Sequence, residues 1–191
     1  IDDKGPTMAA WMAMKLVKEA GIPLNKRVRL IIGTDEESGF RCVERYFEKE
    51  EMPHIGFAPD ADFPIINAEK GIATLRFTTT KLTEDEQLHS FQAGTRTNMV
   101  PDFATAVVHV KHDTLENEFE HFKNEHNLQG SMTFEQDVVV LTLEGKSAHA
   151  MEPNDGVNAG VYLAEFLKGI VTTSGSKTFV DFVSTSFLND S

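Results

Sequence analysis

Cysteine is almost absent from this sequence, and Cys42 is the single example among 191 residues. One thiol excludes an internal disulfide framework of the kind that stabilises small secreted domains, so we expect a reducing, cytoplasmic location. Long apolar runs are lacking too, and none approaches the roughly 20 residues that a helix needs to span a bilayer. We therefore expect neither a membrane-spanning helix nor a membrane partner.

Positive charge is scarce, because 18 lysines and arginines stand against 30 aspartates and glutamates, for a net charge of −12. Proteins that bind nucleic acid neutralise its phosphates with lysine and arginine, so nucleic acid is not an expected partner. The excess of carboxylates is compatible with cation binding, although an acidic, solvated surface accounts for most of it.

Helix and strand patterns alternate over residues 1–70, which favours an α/β fold with a mostly parallel sheet. In the first helix, Met8, Met12 and Leu16 recur every four residues, so this helix is predicted to be largely buried. The predicted elements are a helix from Pro6 to Gly21, strands at 28–32, 55–57 and 64–67, and a helix at 40–49.

From residue 71 onward the pattern changes, and the segment at 72–82 alternates sides with a period of two, as a strand with one exposed face does. Strands with helices on one face predict a small α+β, ferredoxin-like domain over residues 71–191. The boundary between the two parts is placed at residues 69–71. The predicted strands are 72–82, 103–113, 131–136 and 138–146, and the predicted helices are 114–127 and 155–170.

Three acidic clusters occur in the first 70 residues, each where a predicted strand gives way to a loop or helix. They are Asp2 and Asp3 in "DDKGP", residues 35–37 in "TDEESG", and Asp60 and Asp62 in "PDADFP". The carboxyl ends of parallel strands meet along one edge of a sheet, so distant clusters can converge there. Adjacent carboxylates repel each other, and a divalent metal such as Zn²⁺ offsets that repulsion. The sequence therefore favours a metal site.

In this order the three motifs resemble those of the dinuclear zinc peptidases of the aminoacylase and carboxypeptidase G family, and particularly its PepV-type (Xaa-His) dipeptidases. The resemblance runs through the whole chain. It implies part of a catalytic, metal-binding domain over residues 1–70 and part of a lid domain over residues 71–191. It also implies hydrolysis of dipeptides with two zinc ions, by a monomeric enzyme whose enlarged lid takes the place of a second subunit.

The resemblance also implies a role for each carboxylate. Asp2 bridges the two metal ions, Glu37 binds one of them, and Asp60 binds the other. Glu36 is the general base, which takes a proton from water that the metal has acidified and later delivers it to the leaving amine. Adjacent side chains do not easily bind one ion together, so different roles for Glu36 and Glu37 agree with the chemistry.

Two motifs in the second part resemble the family's lid. "GKSAHAMEPNDGVNA" implies that His149 reaches the active site and stabilises the oxyanion, and "GTRTNMVPD" implies that Asn98 contacts substrate. Each residue also has a simpler interpretation, His149 as a solvated loop histidine and Asn98 as a turn residue before a strand. The residues alone leave both interpretations open.

The family's two histidine ligands come from segments that this sequence does not contain, one upstream of "DDKGP" and one near the far C-terminus. None of the seven histidines is expected to replace them. His54 and His89, for example, are predicted to lie in loops. We therefore expect a piece of a longer protein that is inactive by itself. Two alternatives stay open: an N-acyl amino-acid deacylase or desuccinylase of the same family, and a non-catalytic remnant or binding module.

Overall fold

The computed structural model describes residues 3–37, 39–60, 64–78, 86–110 and 113–187. The chain divides into two compact units, Ile1–Gly71 and Ile72–Ser191. The first contains the acidic motifs, and the second contains the motifs of Asn98 and His149.

The first unit contains two helices, α1 (Lys4–Glu19) and α2 (Arg41–Phe47). Both lie where the sequence predicts a helix. The chain leaves α1 at Gly21, which has a left-handed φ of 66°. A glycine is the usual residue at such a position, because it has no Cβ to clash in that conformation.

No strand is formed among the described residues of the first unit. The parallel sheet predicted from residues 28–32, 55–57 and 64–67 is therefore not confirmed. A strand forms only where its backbone N–H and C=O groups pair with those of a neighbouring strand. These three segments make no such ladder within the described part of the unit.

The prediction that α1 is largely buried is wrong. The helix has no buried residue. A helix buries its apolar stripe only against a second layer of structure, and no sheet is present among the described residues of this unit. Its large apolar side chains, Met8, Trp11, Met12 and Leu16, are between 43% and 57% exposed.

The second unit is built on a four-stranded antiparallel sheet with the order β1-β2-β4-β3. The strands predicted at 103–113, 131–136 and 138–146 are present, although the first and last are shorter than predicted. The four strands are β1 (Leu88–Ala93), β2 (Phe103–Val108), β3 (Gln129–Glu135) and β4 (Val138–Glu144).

Two expectations about the start of the second unit are wrong or only partly tested. His89 lies in the edge strand β1 and not in a loop. The strand predicted at 72–82 is not formed over residues 72–78, and its remaining residues lie outside the described ranges. The pattern of β1 is hard to recognise because its register shifts between Leu88 and Ser90, and this irregularity interrupts the alternation of apolar and polar residues.

Three helices accompany the sheet, α3 (Leu115–Glu125), α4 (Ala159–Lys168) and α5 (Ser174–Ser186). α4 packs across β2 and β4, α3 packs beside β3, and α5 packs on α4. The sequence predicted α3 and α4 but not α5, because the serines and glycine at its start are typical of a loop. The unit is therefore a mixed α/β structure.

The order of these elements approaches the ferredoxin-like expectation without matching it. A β-α-β-β-α run extends from β2 to α4, as in a ferredoxin-like fold. The remaining strand, β1, comes before this run and not after it. It nevertheless lies at the sheet edge beside β2.

One face of the two central strands forms the core of the second unit. Alternate residues of β2 and β4 are fully buried, while the residues between them are partly exposed. Each fully buried leucine or phenylalanine stabilises the fold by about 1.5–3 kcal/mol. A one-residue slip would turn all of these side chains to the other face, so the core fixes the register. The core includes Ala104, Ala106, Val108, Leu141 and Leu143 from the strands, and Leu115, Phe119, Leu163 and Leu167 from the helices.

Glu86 connects the start of β1 to the N-terminus of α5. Its Oε2 accepts hydrogen bonds from Ser176 Oγ and from Ser176 N–H, both at 2.7 Å, and its Oε1 accepts one from Gly175 N–H at 3.0 Å. A Cβ at Gly175 would collide with this carboxylate. Hydrogen bonding by the Ser176 hydroxyl, then by the Thr173 hydroxyl, and by the two backbone N–H groups lowers the pKa of Glu86 from its ordinary value of 4.5 to about 2.

We expect Glu86→Gln to lower the free energy of unfolding at neutral pH but not in strong acid. Because the folded-state pKa is lowered, ionised Glu86 stabilises the folded protein above about pH 4.5, and this contribution is lost as the pH falls toward about 2. Urea unfolding of both proteins at pH 7 and near pH 2 measures the difference. The control is Glu135→Gln on the exposed edge of β3. An equal effect of Glu86→Gln at both pH values would contradict the assignment.

Candidate functional site

A backbone turn that begins at Asp35 closes at Gly39 and Phe40, directly before α2. Phe40 N–H donates to Asp35 O at 2.8 Å, and Gly39 N–H donates to the same oxygen at 3.3 Å. Gly39 and Phe40 have positive φ values of 155° and 58°. Such values are costly for a residue with a side chain, so the turn carries some strain at Phe40. Glu36 and Glu37 lie within this turn and are exposed.

Asp35, the remaining carboxylate of the acidic cluster at residues 35–37, is bound to Arg41. Asp35 Oδ2 accepts hydrogen bonds from Arg41 Nε at 2.6 Å and from Arg41 N–H at 3.1 Å, while Oδ1 accepts one from Nη2 at 3.1 Å. This hydrogen bonding and the charge of Asp35 raise the pKa of Arg41. The Asp35 side chain is only 11% exposed. Arg41 thus offsets part of the repulsion between the adjacent carboxylates, and the acidic motif alone does not reveal this partner.

The chain just before the turn packs against α2. A Cβ at Gly33 would lie 2.9 Å from Cys42 Sγ, which is too close for two nonbonded atoms. Cys42 is partly buried. The Asp35–Arg41 pair therefore holds the turn that contains Glu36 and Glu37, and Gly33 leaves room for the Cys42 thiol just before it.

The predicted metal ligands are only partly represented among the described residues. Asp2 lies outside the described ranges, while Glu37 and Asp60 are both exposed. Within the described part of the chain, no three His, Cys, Asp or Glu side chains are grouped closely enough to hold a metal ion. Carboxylates are suitable donors for Zn²⁺ and similar ions, so the chemistry of these donors fits a metal. Their placement in the described residues does not assemble a complete site.

In the second unit the structure brings Asn98 and His149 together. Met99 and His149 form an antiparallel bridge, and Ala150 N–H donates to Asn98 O at 2.8 Å. On the other side of this bridge, Val100 N–H donates a hydrogen bond to Ala148 O, also at 2.8 Å. Two motifs that are far apart in the sequence thus become one piece of paired backbone.

The ring of His149 has a defined hydrogen-bonding pattern. Its Nδ1 lies 3.1 Å from Met151 N, and a backbone N–H can only donate. Nδ1 is therefore the acceptor, and a neutral ring carries its proton on Nε2. His149 is exposed, so this tautomer presents an N–H donor to a ligand. An N–H donor is what a developing oxyanion requires.

A pocket of about 250 Å³ lies beside the paired segments. Met99 and Ser147 line it from the two segments, and Arg96 and Asp102 also contribute to its wall. A basic and an acidic residue thus both border this pocket. Arg96 was not singled out from the sequence, although it lies in the same "GTRTNMVPD" motif as Asn98.

A profile of the peptidase family M20/M25/M40 matches residues 1–178. The chain belongs to this family. The family resemblance inferred from the acidic motifs is thereby confirmed, and peptidases of the M20 family are generally metal-dependent. Whether this chain binds zinc stays a prediction.

Two curated relatives cover nearly the whole chain. A protein of Staphylococcus aureus (strain USA300) with the name "Putative dipeptidase" is 47% identical over 189 residues, which are 95% of this chain and 40% of the relative. A protein of Staphylococcus haemolyticus (strain JCSC1435) with the same descriptive name is 46% identical over 198 residues, covering 100% of this chain and 42% of the relative. The chain thus spans about two fifths of the length of the relatives it matches.

In this M20 peptidase chain, no helix within the described ranges is long and apolar enough to cross a membrane. The cytoplasmic location stays a prediction that rests on the single cysteine. The monomeric state and the absence of a nucleic-acid partner likewise stay predictions.

Proposed function

We propose that the full-length protein is a metal-dependent dipeptidase of the PepV type, to which this chain contributes the acidic turn and part of the lid. The observation that carries the proposal is the pairing of the segments around Asn98 and His149, which joins two motifs of the family into one structural element. The names of the relatives, which describe dipeptidases, support the same class of substrate.

In this proposal some carboxylates of the first unit bind metal and another transfers a proton. Asp2, Glu37 and Asp60 would hold two zinc ions in the intact enzyme, and the bound ions would supply Lewis acidity for hydrolysis. The carboxylate of Glu36 takes a proton from the attacking water and later delivers it to the leaving amine. Asp35 is already bound to Arg41, so it does not compete with Glu37 for a metal.

The second unit acts on the substrate. His149 donates its Nε2–H to the carbonyl oxygen of the scissile bond as negative charge develops there. Asn98 contacts the same substrate from the neighbouring segment. Because the two segments are hydrogen-bonded to each other, the two side chains are positioned by one piece of backbone. Such preorganisation is what makes a hydrogen-bond donor effective in catalysis.

A comparison of substrates by the full-length protein tests this function. Unblocked dipeptides are expected to have a kcat/KM at least about tenfold higher than N-acetyl and N-succinyl amino acids, because a site built for a charged amino terminus leaves its polar groups without partners when an acyl group takes its place. A reversed preference would identify a deacylase or desuccinylase. No turnover of either class would indicate a binding module. Either result contradicts the proposal.

The 191-residue chain by itself is expected to turn over no dipeptide. Its described residues assemble no three-donor metal site, and it covers about 40% of its relatives' length. The substrate comparison therefore uses the full-length protein.

A further inference from the structure

Two histidine rings meet on the exposed surface of the sheet, in the second unit. His89 is the extra residue where the register of β1 shifts, and His109 directly follows β2. Their ring centroids are 5.8 Å apart, and the ring planes stand at 89° to each other. Both side chains are exposed. No part of the proposed peptidase mechanism uses this pair.

The tautomer of His109 leaves a ring nitrogen available as a ligand. His109 Nδ1 lies 3.2 Å from the backbone oxygen of Asp137. A carbonyl oxygen can only accept, so Nδ1 carries the proton and the Nε2 of a neutral ring keeps its lone pair. Metal-binding histidines commonly donate their second N–H to a backbone carbonyl in this way, which fixes the ring orientation.

The backbone that bears the two rings is held on both sides. His109 N–H donates to Gln87 O at 2.7 Å, which extends the pairing of β1 with β2 by one residue. Leu88 N–H, next to His89, donates to Ser176 Oγ of α5 at 2.9 Å. A backbone held in this way keeps the Cα atoms of His89 and His109 at a fixed spacing, which favours binding of a common ligand by the two side chains.

The spacing of the rings suits a shared metal ion. With metal–nitrogen bonds of about 2.0–2.1 Å, each ring centre lies roughly 3 Å from the ion, so two rings sharing it lie about 4.5–6.5 Å apart. The observed 5.8 Å falls within that range. We propose that His89 and His109 form a two-imidazole site for a divalent transition-metal ion, completed by water. Imidazole pairs favour Cu²⁺ over Ni²⁺ and Zn²⁺.

The test is a Cu²⁺ titration of the full-length protein and its variants, with the equivalents bound compared with those that a His89→Ala and His109→Ala double variant binds at its other sites. Wild type is expected to bind one additional equivalent of Cu²⁺, with an electron paramagnetic resonance spectrum that shows two coordinated nitrogens. His89→Ala and His109→Ala are each expected to weaken this binding at least about tenfold and to remove one nitrogen from the spectrum. The control is His121→Ala, which removes an exposed histidine that lies beside Glu125 on α3.

Each outcome decides the proposal. Loss of the additional equivalent in both variants, with retention in His121→Ala, supports the site. The proposal is wrong if His89→Ala binds Cu²⁺ with the affinity and spectrum of wild type, because His89 is an exposed residue at a strand irregularity and its removal leaves the fold intact. Loss of the additional Cu²⁺ equivalent in His121→Ala alone would place the ion on α3 and would also contradict the proposal. None of these results depends on dipeptidase activity.

Discussion

Replacing Glu36 with glutamine in the full-length protein is expected to lower kcat for dipeptide hydrolysis by about 10²–10⁴-fold, the usual contribution of a general base. Glutamine has nearly the same shape but cannot take a proton from water at neutral pH. Because Glu36 is proposed to stay outside the metal shell, the bound metal is expected to remain. Steady-state kinetics and elemental analysis of the same preparation measure both quantities.

The neighbouring substitution, Glu37→Gln, is expected to behave differently. An amide oxygen is a weaker ligand than a carboxylate, so this variant should lose metal together with activity. Wild type that has been stripped with a chelator, and then restored with Zn²⁺, provides the reference for the metal-free and metal-loaded states.

The matched control for both variants is Glu44→Gln. Glu44 is exposed in the first turn of α2, so this substitution makes the same change of charge close to the turn but outside it. Its kcat and metal content should equal those of wild type. If Glu36→Gln lost metal while Glu37→Gln kept it, the two roles would have to be exchanged. Full activity in exhaustively metal-free wild type would remove the metallopeptidase proposal altogether.

The second unit was largely predictable because its sequence pattern is local. In β2 and β4, residues alternate between buried and more exposed positions, and the runs of apolar and β-branched residues in these segments are typical of strands. In α3, Leu115 and Phe119 recur on one face and are buried. β1 was not predicted because its register shifts at His89. α5 was not predicted because its first residues are typical of a loop.

The first unit shows the limit of such patterns. Residues 28–32 have the apolar character of a buried strand, but apolar character alone does not specify the neighbour with which a strand pairs. Ile32 is 71% exposed, so its side chain has no apolar layer to cover it in the described residues. A partner strand is a non-local feature, and a local sequence pattern cannot supply it.

The candidate site was predicted through its motifs and not through its geometry. The order of the acidic motifs indicated the family, and the family match confirms that inference. The binding of Asp35 by Arg41 and the tautomer of His149 depend on where single atoms lie. Neither follows from residue types and spacing. The predicted roles of Asp2 and Asp60 remain predictions.

His149→Ala in the full-length protein is expected to lower kcat by about 10²–10³-fold, which is the usual cost of removing one oxyanion donor. The hydrogen bond from Met151 N–H to Nδ1 places the proton of the neutral ring on Nε2, where it can be donated to substrate. Such a donor stabilises the charge that develops in the transition state more than it stabilises bound substrate. KM should therefore change much less than kcat.

The backbone around His149 is expected to survive this substitution, because the bridge to Met99 uses main-chain atoms and the alanine variant keeps them. Metal content should also be unchanged, since His149 is not among the proposed ligands. His149→Gln restores an N–H donor near the same place and should recover part of the lost kcat, which a purely structural role would not explain. The control is His121→Ala on α3, which should leave kcat at the wild-type value. An unchanged kcat in His149→Ala would make His149 a solvated loop histidine and would leave the oxyanion without a donor from this unit.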